Sequence, residues 1–304
     1  MIKYLKRKEI DDKKWNGCVH FAINNFPYGY TWYLDNVAEY WDGLVLDDYQ
    51  AVFPLVFSEK YSFPYLYQPF FAQQLGLFSL KPITQRLMHE FLEAIPGRFR
   101  FVEININFLN QTQHDDYEFW PKTNLVLELK NSYDLLKKNY SNNTKRNLKK
   151  AMGSELKFVQ GLKPEEVVQF FRNHVGVRIK ELKDKHYHSL HRIIYKSMHY
   201  NLGKTFGIYN RKNELCSTGF FLYGKNRIIN LLPATNEKGK QNGAGFFIID
   251  QIVQQHSGKP LTFDFEGSSI DSIAKFYKGF GASDIGYWQM KRNNLPWFAK
   301  ILKR

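Results

Sequence analysis

One pattern occurs twice in this 304-residue chain and limits what it can fold into. In the first half, GLVLDDYQAVFPLVF reads as a short strand, an acidic turn at Asp47-Asp48 and a longer apolar strand. In the second half, FGIYNRKNELCSTGFFLYG repeats that arrangement around a polar turn at 210–214. In each half a helix then precedes another strand, FRFVEINI in one and LTFDFEGS in the other. Shared order with low residue identity points to two related α/β domains. The expected division is 1–130 and 131–304, near residues 129–132, with the C-terminal segment packing back on the first domain.

Spacing and breakers fill in the rest. Residues 82–94 have helical apolar spacing, with Pro82 suited to a first turn. Residues 63–71 are aromatic, extended and proline-broken. A helix is expected over 133–151, interrupted and re-capped by Ser141-Asn-Asn-Thr144. Further helices are expected from Pro164 and over 190–202, 243–255 and 270–280. Strands are expected at 99–106, 125–129, 156–160, 206–209, 215–223 and 227–232.

Hydrophobic residues at 43% and aromatics at 17% supply a core, and 24% charged residues argue against disorder. The first ten residues are charged throughout and lack a signal-peptide core. The longest apolar runs, such as Ala51-Val-Phe-Pro-Leu-Val-Phe57, are too short to span a bilayer. Cys18 and Cys216 form neither a disulfide framework nor a metal-finger spacing, so a cytoplasmic location is expected. Lysine and arginine number 43 against 29 acids, a net charge of +14. That excess favours a polyanionic partner: RNA, a nucleotide-linked substrate, coenzyme A or an anionic membrane. A lysine-rich composition inherited from an AT-rich genome would give the same number.

Several stretches carry chemistry-bearing residues. Residues 137–150 hold Lys137, Lys138, Lys145, Arg146, Lys149 and Lys150 with no acid among them. This is either a solvated face or a cradle for phosphates, with Arg146 able to make a bidentate contact. Lys240-x-x-Gly243-x-Gly245 stands at an expected helix start, where unpaired N–H groups and glycines admit a pyrophosphate. A glycine loop before an ordinary helix would look similar. NLGKT, residues 201–205, is rejected as a P-loop because Met198 stands where the first glycine is needed. The histidines of HYHSLHRIIYKSMHY lack a completing cysteine or carboxylate, so no metal is expected. Asp264 and Glu266 lie two apart on an expected strand and so share one face. Two acids there are costly unless paired or used. Ser268 or Ser269 would cap the helix that follows.

Four stretches taken in order resemble the Fem family of aminoacyltransferases, which extend peptidoglycan precursors, and related GNAT-like N-acyltransferases. YGYTWYLDNVAEYWDGLVLDD is similar to the family's first helix and strands, with Trp32 as its typical tryptophan. YLYQPFFAQQLGLFS resembles its proline-containing strand and Gln-x-x-Gly segment, and NNTKRNLKKA its basic helix. FDFEGSSIDSIAKFYKGFGA resembles its closing strand and helix. The likeness covers most of the chain.

The resemblance implies an α/β (α+β) fold of two tandem GNAT-like domains, each a mixed, largely antiparallel sheet flanked by helices. It also implies transfer of an acyl or aminoacyl group, from acyl-CoA or aminoacyl-tRNA, to an amine acceptor such as a nucleotide- or lipid-linked cell-wall peptide precursor. No tightly bound cofactor and no covalent enzyme intermediate are then required. Lys145 and Arg146, with Trp32, would bind substrate, and Lys240, Gly243 and Gly245 would hold a CoA pyrophosphate. Asp264 or Glu266 would take the amine proton. The family's lysine before Phe-x-x-Gly falls on Tyr277 or Lys278, depending on alignment. The alternative is a GNAT-like protein without catalysis that binds RNA or another polyanion through its basic face; a metal hydrolase using the histidines is a third reading.

Overall fold

The computed structural model describes residues 1–60, 62–266 and 270–296. The chain divides into two compact units, Met1–Lys122 with the segment from Gly286, and Thr123–Ile285. The sequence reading put the division at 130/131, whereas the chain changes unit at Lys122 and returns at Gly286. The returning segment carries a strand that pairs inside the first sheet.

In the first unit, β1 (Ile2–Lys6), β2 (Tyr40–Leu46), β3 (Ala51–Lys60), β4 (Phe63–Tyr67), β5 (Phe78–Ser79), β6 (Phe101–Ile106) and β7 (Glu118–Lys122) form the sheet. Helices α1 (Asp12–Phe21), α2 (Thr31–Val37) and α3 (Gln85–Glu93) belong to the same unit. The acidic turn closes the hairpin β2–β3, in register from Tyr40 opposite Phe57 to Leu46 opposite Ala51. Helix α3 starts after Thr84, whose Oγ1 accepts the Leu87 N–H at 3.2 Å, and Pro82 lies outside it. Its buried Met88, Phe91 and Leu92 follow helical spacing and pack with Phe53, Leu66 and Val102. Each such burial stabilises by about 1.5–3 kcal/mol.

The second unit contains β8 (Leu125–Glu128), α4 (Tyr133–Lys138), α5 (Asn142–Gly153), β9 (Lys157–Gln160), α6 (Pro164–His174) and α7 (Asp184–His199). There follow β10 (Gly203–Tyr209), β11 (Leu215–Tyr223), β12 (Arg227–Asn230), β13 (Ala234–Thr235), α8 (Glu237–Asn242) and α9 (Ala244–His256). β14 (Thr262–Asp264), α10 (Asp271–Lys278) and β15 (Ser283–Asp284) complete it. Ser141 separates α4 from α5 as expected, its Oγ accepting the Thr144 N–H at 3.2 Å. The core gathers Phe206, Phe221, Ile228, Ile249, Phe263 and Phe280.

After this unit, β16 (Tyr287–Asn293) enters the first sheet between β6 and β7. The two sheets then match place by place: β1-β2-β3-β4-β6-β16-β7 in one, and β9-β10-β11-β12-β14-β8-β15 in the other. β5 beside β3 matches β13 beside β11. In each sheet one pair is parallel, β4 with β6 and β12 with β14, and the remaining pairs are antiparallel. A helix bridges each parallel pair, α3 and α9 respectively, because a parallel neighbour needs a crossover. The repeat seen in the sequence is therefore a repeat of topology. No described helix is long and apolar enough to cross a membrane.

Candidate active site

In the second unit the parallel strands separate at their carboxyl ends. Their last paired residues are Ile229 and Asp264. Beyond them, Leu231 and Leu232 donate to the Phe220 carbonyl of β11, whereas Phe265 donates to the Leu125 carbonyl at β8. Among the described residues no pairing joins the two strands beyond that point, and an opening between them begins there. Carboxyl ends of parallel strands are a common place for ligands in α/β sheets.

The matching place in the first unit is stitched shut. The Gln68 side chain accepts the Asn105 N–H at 2.8 Å, and Asn105 Nδ2 donates to the Gln73 carbonyl at 3.0 Å. Leu75 bonds the Asn105 carbonyl and accepts from the Asn107 N–H, both at 2.9 Å. The loop after β4 thus bonds to β6 at the place where, among the described residues of the second unit, β12 and β14 are no longer paired.

Asn230, Tyr277 and Glu266 gather at the opening. Asn230 ends β12 and is 1% exposed. Its Nδ2 donates to the Tyr277 hydroxyl at 3.4 Å, while its Oδ1 has no hydrogen-bond partner among the described residues. A buried orphan acceptor costs about 1–3 kcal/mol, and such an atom calls for a functional account. Tyr277 lies on the buried side of α10, its ring stacked on Phe265 at 4.5 Å. Burial, and then the charge of Glu266, raises its phenol above the ordinary 10, which keeps the hydroxyl protonated.

Glu266 does not share a strand face with Asp264, contrary to the sequence reading. The strand stops at Asp264, and Glu266 adopts a left-handed conformation with φ +58°. Its N–H turns back onto Asp264 Oδ1 at 2.8 Å, which breaks the two-residue alternation. The Asp264 carboxylate also binds Arg227 Nη1 at 2.6 Å and Asn124 Nδ2 at 3.3 Å. It is a buried, fully engaged carboxylate that holds the end of β14. Lys278 follows Tyr277 on the helix and is exposed, because one residue turns the helix by about 100°. Ser268 and Ser269 lie outside the described residues, and α10 begins after Ile270 without a side-chain cap.

The other expected site residues are scattered. Trp32 lies in α2 of the first unit, stacked on Tyr30. Lys145 and Arg146 are exposed on α5. Lys145 Nζ donates to the Lys138 carbonyl and Arg146 Nη2 to Asn143 Oδ1, both at 2.9 Å.

The Lys240–Gly245 stretch has local partners. Lys240 pairs with Glu237 at 2.6 Å. Gly243, at φ +80°, ends the unforeseen α8, and a side chain there would sit 2.6 Å from the Asn147 carbonyl of α5. Asn242 Oδ1 accepts the first N–H of α9 at 3.2 Å. The glycine at 243 is thus required where two helices approach closely, and the start of α9 is capped from within. Among the described residues no group of three histidine, cysteine or acidic side chains is arranged to hold a metal. His186 instead closes the start of α7, its Nδ1 accepting the Lys183 N–H at 2.9 Å.

Sequence reasoning missed Asn230, Arg227 and Asn124. The available signal was RIIN, an apolar strand bounded by two side chains that burial makes costly.

No family model matches the sequence, and no curated protein matches it. Among solved structures the chain is similar to FemX, with 11% identity, a TM-score of 0.66 and coverage of 94% of this chain and 96% of that one. It is similar to L-PGS from Bacillus licheniformis at 12% identity, TM-score 0.54, covering 96% and 95%. It is also similar to a tandem GNAT protein from the clavulanic acid biosynthesis pathway at 9% identity, TM-score 0.51, covering 97% and 99%. The fold is therefore a Fem-like tandem GNAT fold, with two mixed sheets flanked by helices.

Proposed function

We propose that this protein is an N-acyltransferase that moves an aminoacyl or acyl group to an amine, with the chemistry at the opening between β12 and β14. The observation that carries this reading is the buried Asn230 Oδ1, unpartnered among the described residues, beside the Tyr277 hydroxyl where the strands separate. The amine nitrogen attacks the donor carbonyl, its proton passing to the Glu266 carboxylate. Asn230 Oδ1 accepts another N–H of the attacking amine and orients it, and the second Nδ2 hydrogen steadies the oxyanion. The carbon–oxygen or carbon–sulfur bond then breaks, and Tyr277 gives its proton to the leaving atom.

Two features favour an aminoacyl ester, as on aminoacyl-tRNA, over acyl-CoA. The start of α9 already has Asn242 and α8 against it. An alkoxide leaving group needs the proton of a weakly acidic phenol, whereas a thiolate leaves without one. The exposed lysines and Arg146 of α5 suit the donor's phosphates. The acceptor in this reading is a cell-wall peptide precursor met in the cytoplasm.

The test is transfer of label from charged tRNAs and from acyl-CoAs to amine acceptors, with Tyr277→Phe as the variant. Loss of roughly a hundredfold in rate with the fold intact is expected. An unchanged rate would remove Tyr277 from the reaction. The exposed basic α5 also supports a second reading, a polyanion-binding protein without catalysis. It predicts tRNA affinity that falls steeply with salt and ignores whether the tRNA is charged.

A further inference from the structure

A cavity of about 710 Å³ lies between the end of α6 and the start of α7, away from the residues of the opening. Its lining combines Lys180, Lys183 and one acid, Asp184, with Val177, Ile179 and Leu182. Arg172 also lines it, held over the Tyr187 ring at 4.7 Å and bonded to Asp184 at 2.7 Å. Gly176 makes room, since a side chain there would collide with the Tyr187 hydroxyl. Residues 172–185 carry five lysines and arginines against two acids. Val177 stands 68% exposed.

We infer that this cavity and its rim are a docking site for an anionic phospholipid at a membrane surface. The cationic side chains complement a lipid phosphate. A site for a free phosphate has no use for an exposed Val177 beside the half-buried Ile179 and Leu182, whereas a lipid brings acyl chains beside its headgroup. Single-stranded RNA would call for exposed rings on which bases stack, but Tyr187 is 7% exposed and covered by Arg172. Docking here leaves the opening between β12 and β14 untouched, so the inference does not depend on the acyl-transfer reading.

The experiment is co-sedimentation of the full chain with vesicles of phosphatidylcholine and phosphatidylglycerol at roughly two to one, and with phosphatidylcholine alone. Binding to the mixed vesicles only is expected. Lys180→Gln with Lys183→Gln should weaken it about twentyfold. Val177→Asn should weaken it severalfold without altering the net charge. Lys8→Gln with Lys13→Gln, both exposed and in the first unit, serves as an equal-charge control and should change it less than about threefold. Thermal melting checks that each variant is folded.

Four outcomes overturn the inference. They are no binding by the wild type, wild-type binding by the folded pocket variant, an equal loss in the equal-charge control, and release of the protein by low millimolar inorganic phosphate. The last would assign the cavity to a soluble anion.

Discussion

Arg227 and Asp264 form a 2.6 Å ion pair across the parallel strands β12 and β14, with the guanidinium side chain 13% exposed and the carboxylate 1%. The pair joins the two strands just before they separate, and the same carboxylate fixes the turn at Glu266. Removing Arg227 leaves a charge in the interior. Arg227→Met should therefore lower stability by about 3–5 kcal/mol in urea unfolding. Asp264→Leu in the Arg227→Met background should regain part of that loss, as it removes the stranded charge. A single Arg227→Met variant as stable as wild type would mean the pair holds nothing.

Asn230 sets function against stability. Its Oδ1 is buried without a partner among the described residues, so Asn230→Leu should be neutral or stabilising by about 1 kcal/mol. The same change should abolish acyl transfer. A destabilised but active variant would indicate that the amide is structural.

Tyr277 and Lys278 separate the two alignments of the closing motif. Lys278→Ala alters an exposed side chain and should change stability by less than about 0.5 kcal/mol and leave transfer near wild type. Tyr277→Phe keeps the stacking on Phe265 and removes a hydroxyl whose bond from Asn230 is long, at 3.4 Å. Its melting temperature should stay within a few degrees while transfer is lost. The opposite pattern would move the chemistry to Lys278.

Gly243 and Lys240 test the glycine loop in the same way. Gly243→Ala imposes a left-handed backbone on alanine and drives its Cβ toward the Asn147 carbonyl, so a loss of about 2–4 kcal/mol is expected. Lys240→Gln breaks an exposed pair and should cost less than about 1 kcal/mol. Were the loop a pyrophosphate site, both substitutions would chiefly weaken acyl-CoA binding.

His256 makes stability depend on pH. It is 8% exposed, and burial, followed by the charges of Lys259 and Lys204, lowers its pKa below 6.5, against the opposing bond to the Ile252 carbonyl. The unfolded chain therefore binds a proton below pH 6.5 that the folded chain resists, so stability falls as pH drops through that window. His256→Phe, facing the Tyr223 ring, should lose less stability than wild type between about pH 7 and pH 5. Equal losses would acquit His256.

The elements most legible in the sequence are those set by neighbours along the chain. The hairpin β10–β11, the re-capping at Ser141 and the proline-led α6 depend on turns, caps and spacing within a few residues. The fold class was legible for a related reason, since the order of elements repeats. Long-range pairing was not. YWQMKRN has ordinary alternation, and nothing local says that it will lie between β6 and β7. Helix α8 was missed because EKGKQN contains a glycine and has no apolar stripe; it forms because Asn236 caps it and Gly243 ends it. The candidate site was only half legible. Asp264 and Glu266 were singled out from residue type and spacing and Tyr277 through the family resemblance, but their roles depend on Arg227, Asn124 and Asn230, which reach them from distant parts of the chain.

The place of β16 bears on the timing of folding during synthesis. Residues 123–285 are contiguous and have all the strands of their own sheet as soon as they leave the ribosome. The amino-terminal unit, though made first, lacks an interior strand until residues 287–293 emerge. Until then β6 has an unsatisfied edge and β7 has no strand to pair with. The usual order, in which the first-made domain folds first, is thus reversed, and the nascent first unit is the part most in need of a chaperone.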